Sequence, residues 1–390
     1  MSGIYIHIPF CKQACHYCNF HFATSLRHKD ALIDALVAEI ALQRDFFERM
    51  PAQDGETNNN KTHEINTIYL GGGTPSLLSA AELTRLLETI YLHFKVAEQP
   101  EISLEANPDD LTHTYLTELR QTPVNRLSIG IQSFFDEDLR LMNRAHNAQQ
   151  ARRCVADARQ AGFEWLTIDL IYGIESEASD ARWQYNLDTA LSWQIPHFSA
   201  YCLTIEPKTP LAKQVAAGIA RPMNDEKAAT QFERLMAQSA AAGYWQYEIS
   251  NFCLPHQYSR HNTAYWQGKP YLGIGPSAHS FDGTTRYWNV ANNAQYIRAI
   301  TEQRIAPNSE TLSTQQHYNE YVMTALRTMW GIDLTWVAAQ FGEAYSRHLL
   351  REAQRFIRHQ HLLQQDKHLL LTSAGKFVAD GIASNLMWVD

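Results

Sequence analysis

The chain has 390 residues, of which 45% are hydrophobic and 19% charged, a composition typical of a soluble globular protein with more than one core. A net charge of −8 argues against nucleic acid as a partner, and no apolar stretch approaches the roughly 20 residues that span a bilayer. Any membrane contact would therefore be peripheral. Six cysteines, three of them clustered, favour a reducing cytoplasm over a disulfide scaffold.

The first predicted strand, residues 4–8, ends at Pro9 and leads directly into the cysteine cluster. Cys11, Cys15 and Cys18 follow with the spacing C-x3-C-x2-C. Three thiolates on one loop can hold three corners of a cubane iron–sulfur cluster and leave the fourth iron open to a small molecule. A zinc site completed by a nearby histidine is the alternative, but no second cysteine pair follows.

Strands and helices then alternate along the chain. Further strands are predicted over 67–70, 101–105, 126–132, 165–171 and 197–202. Helices are predicted over 28–50, 79–94, 111–120, from the fourth strand to about 161, over 179–193 and over 224–242, with a polar surface loop over 51–63. The alternation favours a parallel α/β sheet. Polar residues at nearly every strand end favour a partial (β/α)6 TIM-like barrel over a Rossmann fold.

The sequence predicts three regions. Residues 1–245 form the barrel, residues 246–305 form an irregular linking region rich in glycine, proline and aromatic residues, and residues 306–390 form a small helical domain. In the last region, helices over 314–330 and 343–360, a hairpin-like pair over 361–371 and a final helix resemble a winged-helix arrangement. It carries no clear basic stripe, so DNA binding is not expected.

A glycine-rich turn, residues 71–75, follows the second strand. It lacks the Gly-Lys-Ser/Thr ending of a phosphate-binding loop, and a plain tight turn is the other interpretation. Three glycines also allow backbone carbonyls to approach a ligand closely and to accept hydrogen bonds from an ammonium group.

Six motifs together resemble one branch of the radical S-adenosylmethionine (SAM) superfamily. It is the branch of the oxygen-independent coproporphyrinogen III dehydrogenases and of their relatives, the HemW-type heme chaperones. The motifs are Tyr5-Ile-His-Ile-Pro-Phe-Cys11, Gly71-Gly-Gly-Thr-Pro75, Ser103-Leu-Glu-Ala-Asn-Pro108, Ser128-Ile-Gly-Ile-Gln-Ser-Phe134, Leu141-Met-Asn-Arg144 and Asp169-Leu-Ile-Tyr-Gly173.

The resemblance implies a role for each matching residue. The three cysteines would ligate a [4Fe-4S] cluster whose open iron binds the amine and carboxylate of SAM. Glu105 would meet the amine, Arg144 the carboxylate and Asp169 the ribose hydroxyls. The remaining residues that the resemblance implies around SAM and the cluster are Gly72, Gly73, Thr74, Gln132, Tyr5 and Tyr17.

Three features favour the chaperone over the dehydrogenase. The dehydrogenase typically extends the cysteine motif by a fourth cysteine, where this chain has Phe20, and typically carries an amino-terminal extension before the cluster. His261-Asn-Thr-Ala-Tyr265-Trp266 matches the chaperone's H-N-x-x-Y-W motif. Taken alone, His261 is more often a hydrogen-bonded loop residue and Trp266 a core residue. An imidazole can ligate heme iron and aromatic rings can cover a porphyrin, and the resemblance implies that His261, Tyr265 and Trp266 contact heme near the cluster end of the barrel.

The resemblance therefore implies a binding protein that holds heme together with a SAM-coordinated cluster and passes heme to an acceptor protein, which the sequence does not identify and which could be membrane-associated. The alternative is a dehydrogenase that cleaves SAM and decarboxylates a porphyrinogen oxidatively. Since the cofactor supplies the radical chemistry in every enzymatic version, the cofactor residues do not separate the two, and SAM cleavage is left open.

Overall fold

The computed structural model describes residues 1–50, 63–304 and 307–389, and the loop predicted over 51–63 lies outside them except for His63. Six parallel strands, adjacent in chain order, form the centre of the molecule. They are β1 Ser2–Ile8, β2 Ile65–Gly72, β3 Val96–Ala106, β4 Arg126–Gln132, β5 Trp165–Tyr172 and β6 His197–Cys202.

Helices follow the strands, and the longer ones pack on the outer face of the sheet. They are α1 Lys29–Leu42, α2 Ala80–His93, α3 His113–Leu119, α4 Asp136–Leu141, α5 Ala148–Gln160, α6 Ser179–Ser192, α7 Pro210–Ala216 and α8 Asp225–Ala241. This is the predicted partial barrel. Across the described part of the chain, no helix combines the length and apolar character that crossing a bilayer requires.

The two faces of the central strands differ in polarity. Apolar residues of β1 such as Ile4, Ile6 and Ile8 are fully buried in the core beneath the helices. The alternate residues, such as Tyr5 and His7, are polar and face the inside of the barrel, because successive side chains of a strand point to opposite faces. The barrel therefore encloses a polar lumen rather than an apolar core.

The helical segment after β4 is interrupted, although the sequence predicts continuous helix to about residue 161. Helix α4 ends at Leu141 and α5 begins at Ala148. Asn143 between them adopts a left-handed backbone with φ of 53°, and Asn147 then caps α5 through a capping box with Gln150. The break places residues 142–147 at the carboxyl end of the strands.

The prediction of an irregular linking region over 246–305 is wrong for its described part, because residues 246–304 form short strands and helices. The segment contains β7 Trp245–Glu248, β8 Asn251–Cys253, α9 Arg260–Trp266, β9 Tyr271–Ile274, β10 His279–Phe281, β11 Thr285–Trp288 and α10 Asn293–Thr301. Strand β8 pairs antiparallel with β6, while β9 pairs parallel with β1. The sequence predicts only one short strand in this segment, over 247–252, because strands of three or four residues leave a weak pattern; together the observed ones extend the central sheet at both edges.

The carboxyl-terminal residues form a second unit with its own core. After β12 Asn308–Thr311, which still belongs to the large sheet, come α11 Thr314–Leu326, β13 Ile332–Asp333, α12 Leu334–Phe341, α13 Glu343–Arg358, β14 Leu362–Gln365, β15 His368–Leu371, α14 Ser373–Lys376 and α15 Ala379–Leu386. The order of helices followed by a hairpin is that of a winged helix. Arg327 ties this unit to the barrel through an ion pair with Glu248 of β7 at 3.1 Å.

Candidate functional site

The three clustered cysteines lie on the loop that leaves β1 at the carboxyl end of the barrel, and their thiols are free and half-buried. Burial raises the pKa of the Cys11 thiol to about 11, against a hydrogen bond with Thr74 that lowers it. Burial also raises the pKa of Cys18. Such thiols keep their protons near neutral pH unless a metal replaces them.

The thiols are not arranged around a single ion. Across residues 1–50, 63–304 and 307–389, no group of three or more His, Cys, Asp or Glu side chains converges on the position of one metal ion. A structural zinc site gathers four ligands around one ion, whereas a cubane cluster binds each thiolate through a different iron. The donor set of the loop, three thiols with the spacing C-x3-C-x2-C, fits the three cysteine-held corners of such a cluster.

The segment between α4 and α5 holds the cysteine loop in place. Asn143 donates to the carbonyl of Ala14 at 2.7 Å and accepts from the side-chain amide of Gln13 at 2.5 Å. The backbone N–H of His16 donates to the carbonyl of Met142 at 3.0 Å. The left-handed backbone of Asn143 makes this approach possible, and asparagine tolerates that conformation better than most residues. The helix break and the cysteine loop are thus one structural unit.

Arg144 joins this unit to the strand ends. Its guanidinium donates to Sγ of Cys15 and to the hydroxyl of Tyr17, both at 3.4 Å. It also donates to Oδ1 of Asn107 at 2.5 Å and to the carbonyl of Gly130 at 2.8 Å. Its Nε is buried and lacks a hydrogen-bond partner in the described residues. A permanently charged group with a spare buried donor fits the carboxylate of an amino-acid ligand.

The glycine-rich turn comes close to the cysteine loop. Gly72 has a φ of 110°, and a Cβ there would lie 2.5 Å from the ring of His7. A Cβ on Gly73 would lie 2.6 Å from the carbonyl oxygen of Phe10, one residue before the first cysteine. No side chain fits at either position, so the backbone of the turn is packed directly against the cluster loop.

Two carboxyl groups face the lumen below the turn. Glu105 accepts hydrogen bonds from the hydroxyl of Tyr69 at 2.8 Å and from the N–H of Gly72 at 3.1 Å. Burial raises the pKa of Glu105, and burial together with the charge of Glu105 raises the pKa of Asp169 to about 7. Two crowded buried carboxyls favour a cationic ligand, and SAM carries both an ammonium and a sulfonium group.

Gln132 and Tyr5 complete this end of the lumen. Gln132 ends β4 with a φ of 68°, and its side-chain amide lies over Gly130, beside the guanidinium of Arg144. The hydroxyl of Tyr5 lies 3.0 Å from Nδ1 of His7. The structure thus brings all nine residues predicted for SAM into one region around the cysteine loop, and the residues present fit the cluster and SAM. Which of them touch SAM stays a prediction.

His261 lies at the opposite end of the barrel from the cysteines. The backbone N–H groups of Arg260 and His261 each donate to the carboxylate of Glu101 at 3.0 Å, which fixes the start of α9. Nδ1 of His261 lies 2.9 Å from Oγ1 of Thr67, and a Cβ on Gly3 would lie 3.2 Å from the same nitrogen. Thr67 and Gly3 belong to the amino-terminal halves of β2 and β1.

The prediction that the 261–266 motif returns to the cluster end is therefore wrong, and the cause is topological. Strand β9 runs parallel to β1, so it must begin at the amino end of the barrel. The segment that precedes it, including α9, has to cross that end. Because β9 is only four residues long, its pairing was not visible in the sequence.

The two aromatic residues of the motif have different surroundings from His261. The side chain of Tyr265 is 50% exposed, and its ring lies 5.4 Å from that of Trp266 at an angle of 77°. The guanidinium of Arg327 lies 5.4 Å from the centre of the Trp266 ring. The motif therefore presents an aromatic surface outside the amino end of the barrel, next to the carboxyl-terminal unit, with His261 turned towards the lumen.

A polar cavity runs through the lumen between the two ends. At the carboxyl side it reaches both carboxyl groups, and at the amino side it reaches the residues that begin α9. Its lining consists of Tyr69, Glu105, Arg126, Ser128, Thr167, Asp169, Ser199, Tyr201, Ser259 and Asn262.

Sequence analysis did not select several residues that the structure places beside the predicted site residues at the two ends of the lumen. Asn107 links Arg144 to Thr74, to which it donates at 3.3 Å. Tyr69 contacts Glu105, and Thr67 contacts His261. Their signal was present in β2, where polar residues recur at every second position of a strand that should be buried on both faces. The position of Asn107 one residue beyond β3 carried a similar signal.

Comparison with known proteins agrees with this arrangement. Residues 5–181 match the Radical SAM superfamily, and residues 312–378 match the HemN C-terminal domain. The solved structure of coproporphyrinogen III oxidase (HemN) from Escherichia coli superposes with a TM-score of 0.82, covering 99% of this chain and 90% of that one at 23% identity. The barrel is that of a radical SAM protein, a fold that implies a [4Fe-4S] cluster and SAM.

Curated relatives identify the family of this chain within the radical SAM superfamily. Heme chaperone HemW from Mycobacterium tuberculosis (strain H37Rv) is 32% identical, with 99% of this chain and 94% of that protein aligned. Heme chaperone HemW from Bacillus subtilis (strain 168) is 34% identical, with 90% and 88% aligned, and heme chaperone HemW from Lactococcus lactis is 34% identical, with 85% and 83% aligned. The chain belongs to the HemW family.

Proposed function

We propose that this protein is a heme chaperone that binds heme at the amino end of its barrel, holds a SAM-coordinated [4Fe-4S] cluster at the carboxyl end, and passes the heme to an acceptor protein. The family supports heme as the ligand. The division of the two ligands between opposite ends rests on the positions of the cysteines and of His261.

The state of the His261 ring carries the heme part of the proposal. Thr67 occupies Nδ1, which leaves Nε2 as the nitrogen available to a metal. Metal-binding histidines typically have one ring nitrogen fixed by a hydrogen-bonding partner in this way. Burial lowers the pKa of His261 to about 4, so the ring is neutral at physiological pH, as an iron ligand must be.

The cluster part rests on the residues at the other end. Cys11, Cys15 and Cys18 would ligate three irons, and the side chains of Glu105 and Arg144 would bind the amine and the carboxylate of SAM at the fourth. When bound, the cluster and SAM together supply one-electron chemistry. The role of the chain is to fix the cysteine loop through Asn143 and to place opposite charges for the two ends of the amino acid.

The dehydrogenase is the second candidate because its fold and cofactor end resemble those of this chain. Phe20 argues against it, since a phenyl ring offers no thiol at the position where the dehydrogenase typically has a fourth cysteine. The side chain of Phe20 is 70% exposed on the rim of the cluster loop. It is therefore free to contact a partner but cannot replace a cysteine in chemistry.

The acceptor is proposed to be a heme-requiring protein, and a membrane-associated one is compatible with peripheral contact. We place the protein in the cytoplasm because its cysteines are free and three of them are predicted metal ligands. Nucleic acid has no role in this proposal.

The two functions are separated by one anaerobic experiment on the reconstituted protein with SAM and a reductant. We expect no multiple turnover of coproporphyrinogen III to protoporphyrinogen, and we expect heme to remain with the protein through gel filtration. Phe20→Cys should not create turnover. Multiple turnover by the unsubstituted protein would establish the dehydrogenase instead.

A further inference from the structure

One strand, β2, contributes side chains to both ends of the lumen. Its inward-facing residues are Thr67, Tyr69 and Gly71, in that order from the amino end. Thr67 contacts His261, and the glycines begin the turn beside the cysteine loop. Tyr69 lies between them. Because β2 is short and rigid, a ligand that shifts one end of the strand also shifts the other end, where the second proposed site lies.

Tyr69 makes contact in both directions. Its hydroxyl donates to Oε1 of Glu105 at 2.8 Å. Its ring stacks on the ring of His261, with centroids 5.1 Å apart and an angle of 25° between the planes, while Tyr5 stacks on it at 6.2 Å. One side chain thus touches the proposed partner of the SAM amine and the proposed heme ligand.

Glu105 is the group whose state an occupied SAM site would change. Its second oxygen accepts from Gly72 in the glycine-rich turn, so both oxygens are already engaged. An ammonium group beside it favours the ionised form, and an ionised carboxylate accepts a stronger hydrogen bond than a neutral one. The Tyr69 ring would then be held more firmly against His261.

We propose that Tyr69 is a positioning residue that couples the two sites, so that SAM bound at Glu105 tightens heme binding at His261. This inference rests on the proposed function, since it takes heme to be bound at His261. Coupling between sites is reciprocal, so heme tightens SAM binding by the same factor.

Heme titration of the anaerobically reconstituted protein, followed by Soret absorbance with and without SAM, tests the coupling. We expect SAM to lower the heme Kd about fivefold or more in the unsubstituted protein, the lower end of typical coupling. Tyr69→Phe keeps the ring on His261 but removes the bond to Glu105, and it should reduce the factor to below about twofold while heme and SAM each still bind. Tyr185→Phe, which removes an exposed phenol hydroxyl on α6 outside the lumen cavity, should keep the full factor.

A second measurement needs no variant. The electron paramagnetic resonance spectrum of ferric heme in the unsubstituted protein should change when SAM is added, because the imidazole is held differently. Heme and SAM binding with no mutual effect, or an undiminished effect in Tyr69→Phe, would overturn the coupling and leave the proposed function standing. Failure of the unsubstituted protein to bind heme would overturn both.

Discussion

The guanidinium of Arg144 lies 3.4 Å from Sγ of Cys15. A residue 129 positions away in the sequence therefore touches the cluster loop, and the same guanidinium reaches Asn107 beyond the end of β3. The break between α4 and α5 is what puts Arg144 there. Cluster loop, helix break and strand end form one site because of this side chain.

Replacing Arg144 should weaken SAM binding more than it weakens the fold. Arg144→Gln removes a charge-assisted contact, and we expect SAM affinity to fall about 10- to 100-fold. Equilibrium dialysis against the reconstituted protein measures this. Arg153→Gln is the control, since Arg153 on α5 is exposed and, among the described residues, pairs only with Asp157, at 3.8 Å. If both variants bound SAM with equal affinity, Arg144 would not be a SAM-binding residue.

The cluster should depend on three cysteines out of six. Anaerobic reconstitution should give about four irons per chain, and alanine at Cys11, Cys15 or Cys18 should abolish the iron–sulfur absorption. Alanine at Cys154, Cys202 or Cys253 should leave it unchanged, because none of these thiols lies on the loop. Zinc bound without iron–sulfur absorption would show that the cluster assignment is wrong.

Asp169 should make the ligand-free protein less stable as the pH rises. Its pKa is raised to about 7 in the folded state from an ordinary value of 3.8, so the folded state binds the proton more tightly than the unfolded state does. The contribution of Asp169 to the free energy of unfolding is therefore greatest below about pH 4. It decreases as the pH rises and is lost above about pH 7, and each unit of pKa shift corresponds to about 1.4 kcal/mol.

Urea unfolding at pH 5 and pH 7.5 measures this contribution by difference. Asp169→Asn should show a smaller loss of unfolding free energy between the two pH values than the unsubstituted protein does. Comparing the two proteins cancels the contribution of Glu39, whose pKa burial raises to about 7, and the opposite contributions of buried histidines such as His7. Identical pH dependence of both proteins would contradict the prediction.

Thr67 should tune the heme ligand without being essential for heme binding. Thr67→Val keeps the shape of the side chain but removes the partner of Nδ1 on His261. We expect the heme spectrum to change while the Kd changes by less than about tenfold, since one hydrogen bond contributes about 1 kcal/mol. Thr122→Val is the matched control, because Thr122 is also buried and its hydroxyl donates to the carbonyl of Leu119 instead. A spectrum altered equally by both variants would argue against a role for Thr67.

Local patterns predicted the barrel well. The predicted bounds of β4 and β6 coincide with the observed ones, because in both strands buried apolar residues recur at every second position. The strand-end residues were predicted together because parallel strands expose their carboxyl ends on one side. In the barrel, strong periodicity and short connections leave few alternative assignments of strands and helices.

Two errors came from information that local patterns do not carry. The continuous helix predicted after β4 is broken at Asn143, where the hydrogen bonds to Gln13 and Ala14 override helix propensity. The position of His261 depends on β9 pairing with β1, which lies some 270 residues earlier in the chain. Such long-range pairing leaves no periodic trace at the histidine itself.

The measurement that tests the central claim most directly is heme titration of the unsubstituted protein beside His261→Ala and Trp266→Ala. Burial of a porphyrin face stabilises the complex without the axial ligand, so His261→Ala should shift the Soret band more than it raises the Kd. Trp266→Ala should do the reverse, because it removes packing surface and leaves the imidazole in place. Tyr91→Ala, on the exposed face of α2, should change neither. If neither substitution alters spectrum or affinity, or if the unsubstituted protein binds heme no better than an unrelated globular protein does, the amino end of the barrel is not a heme site.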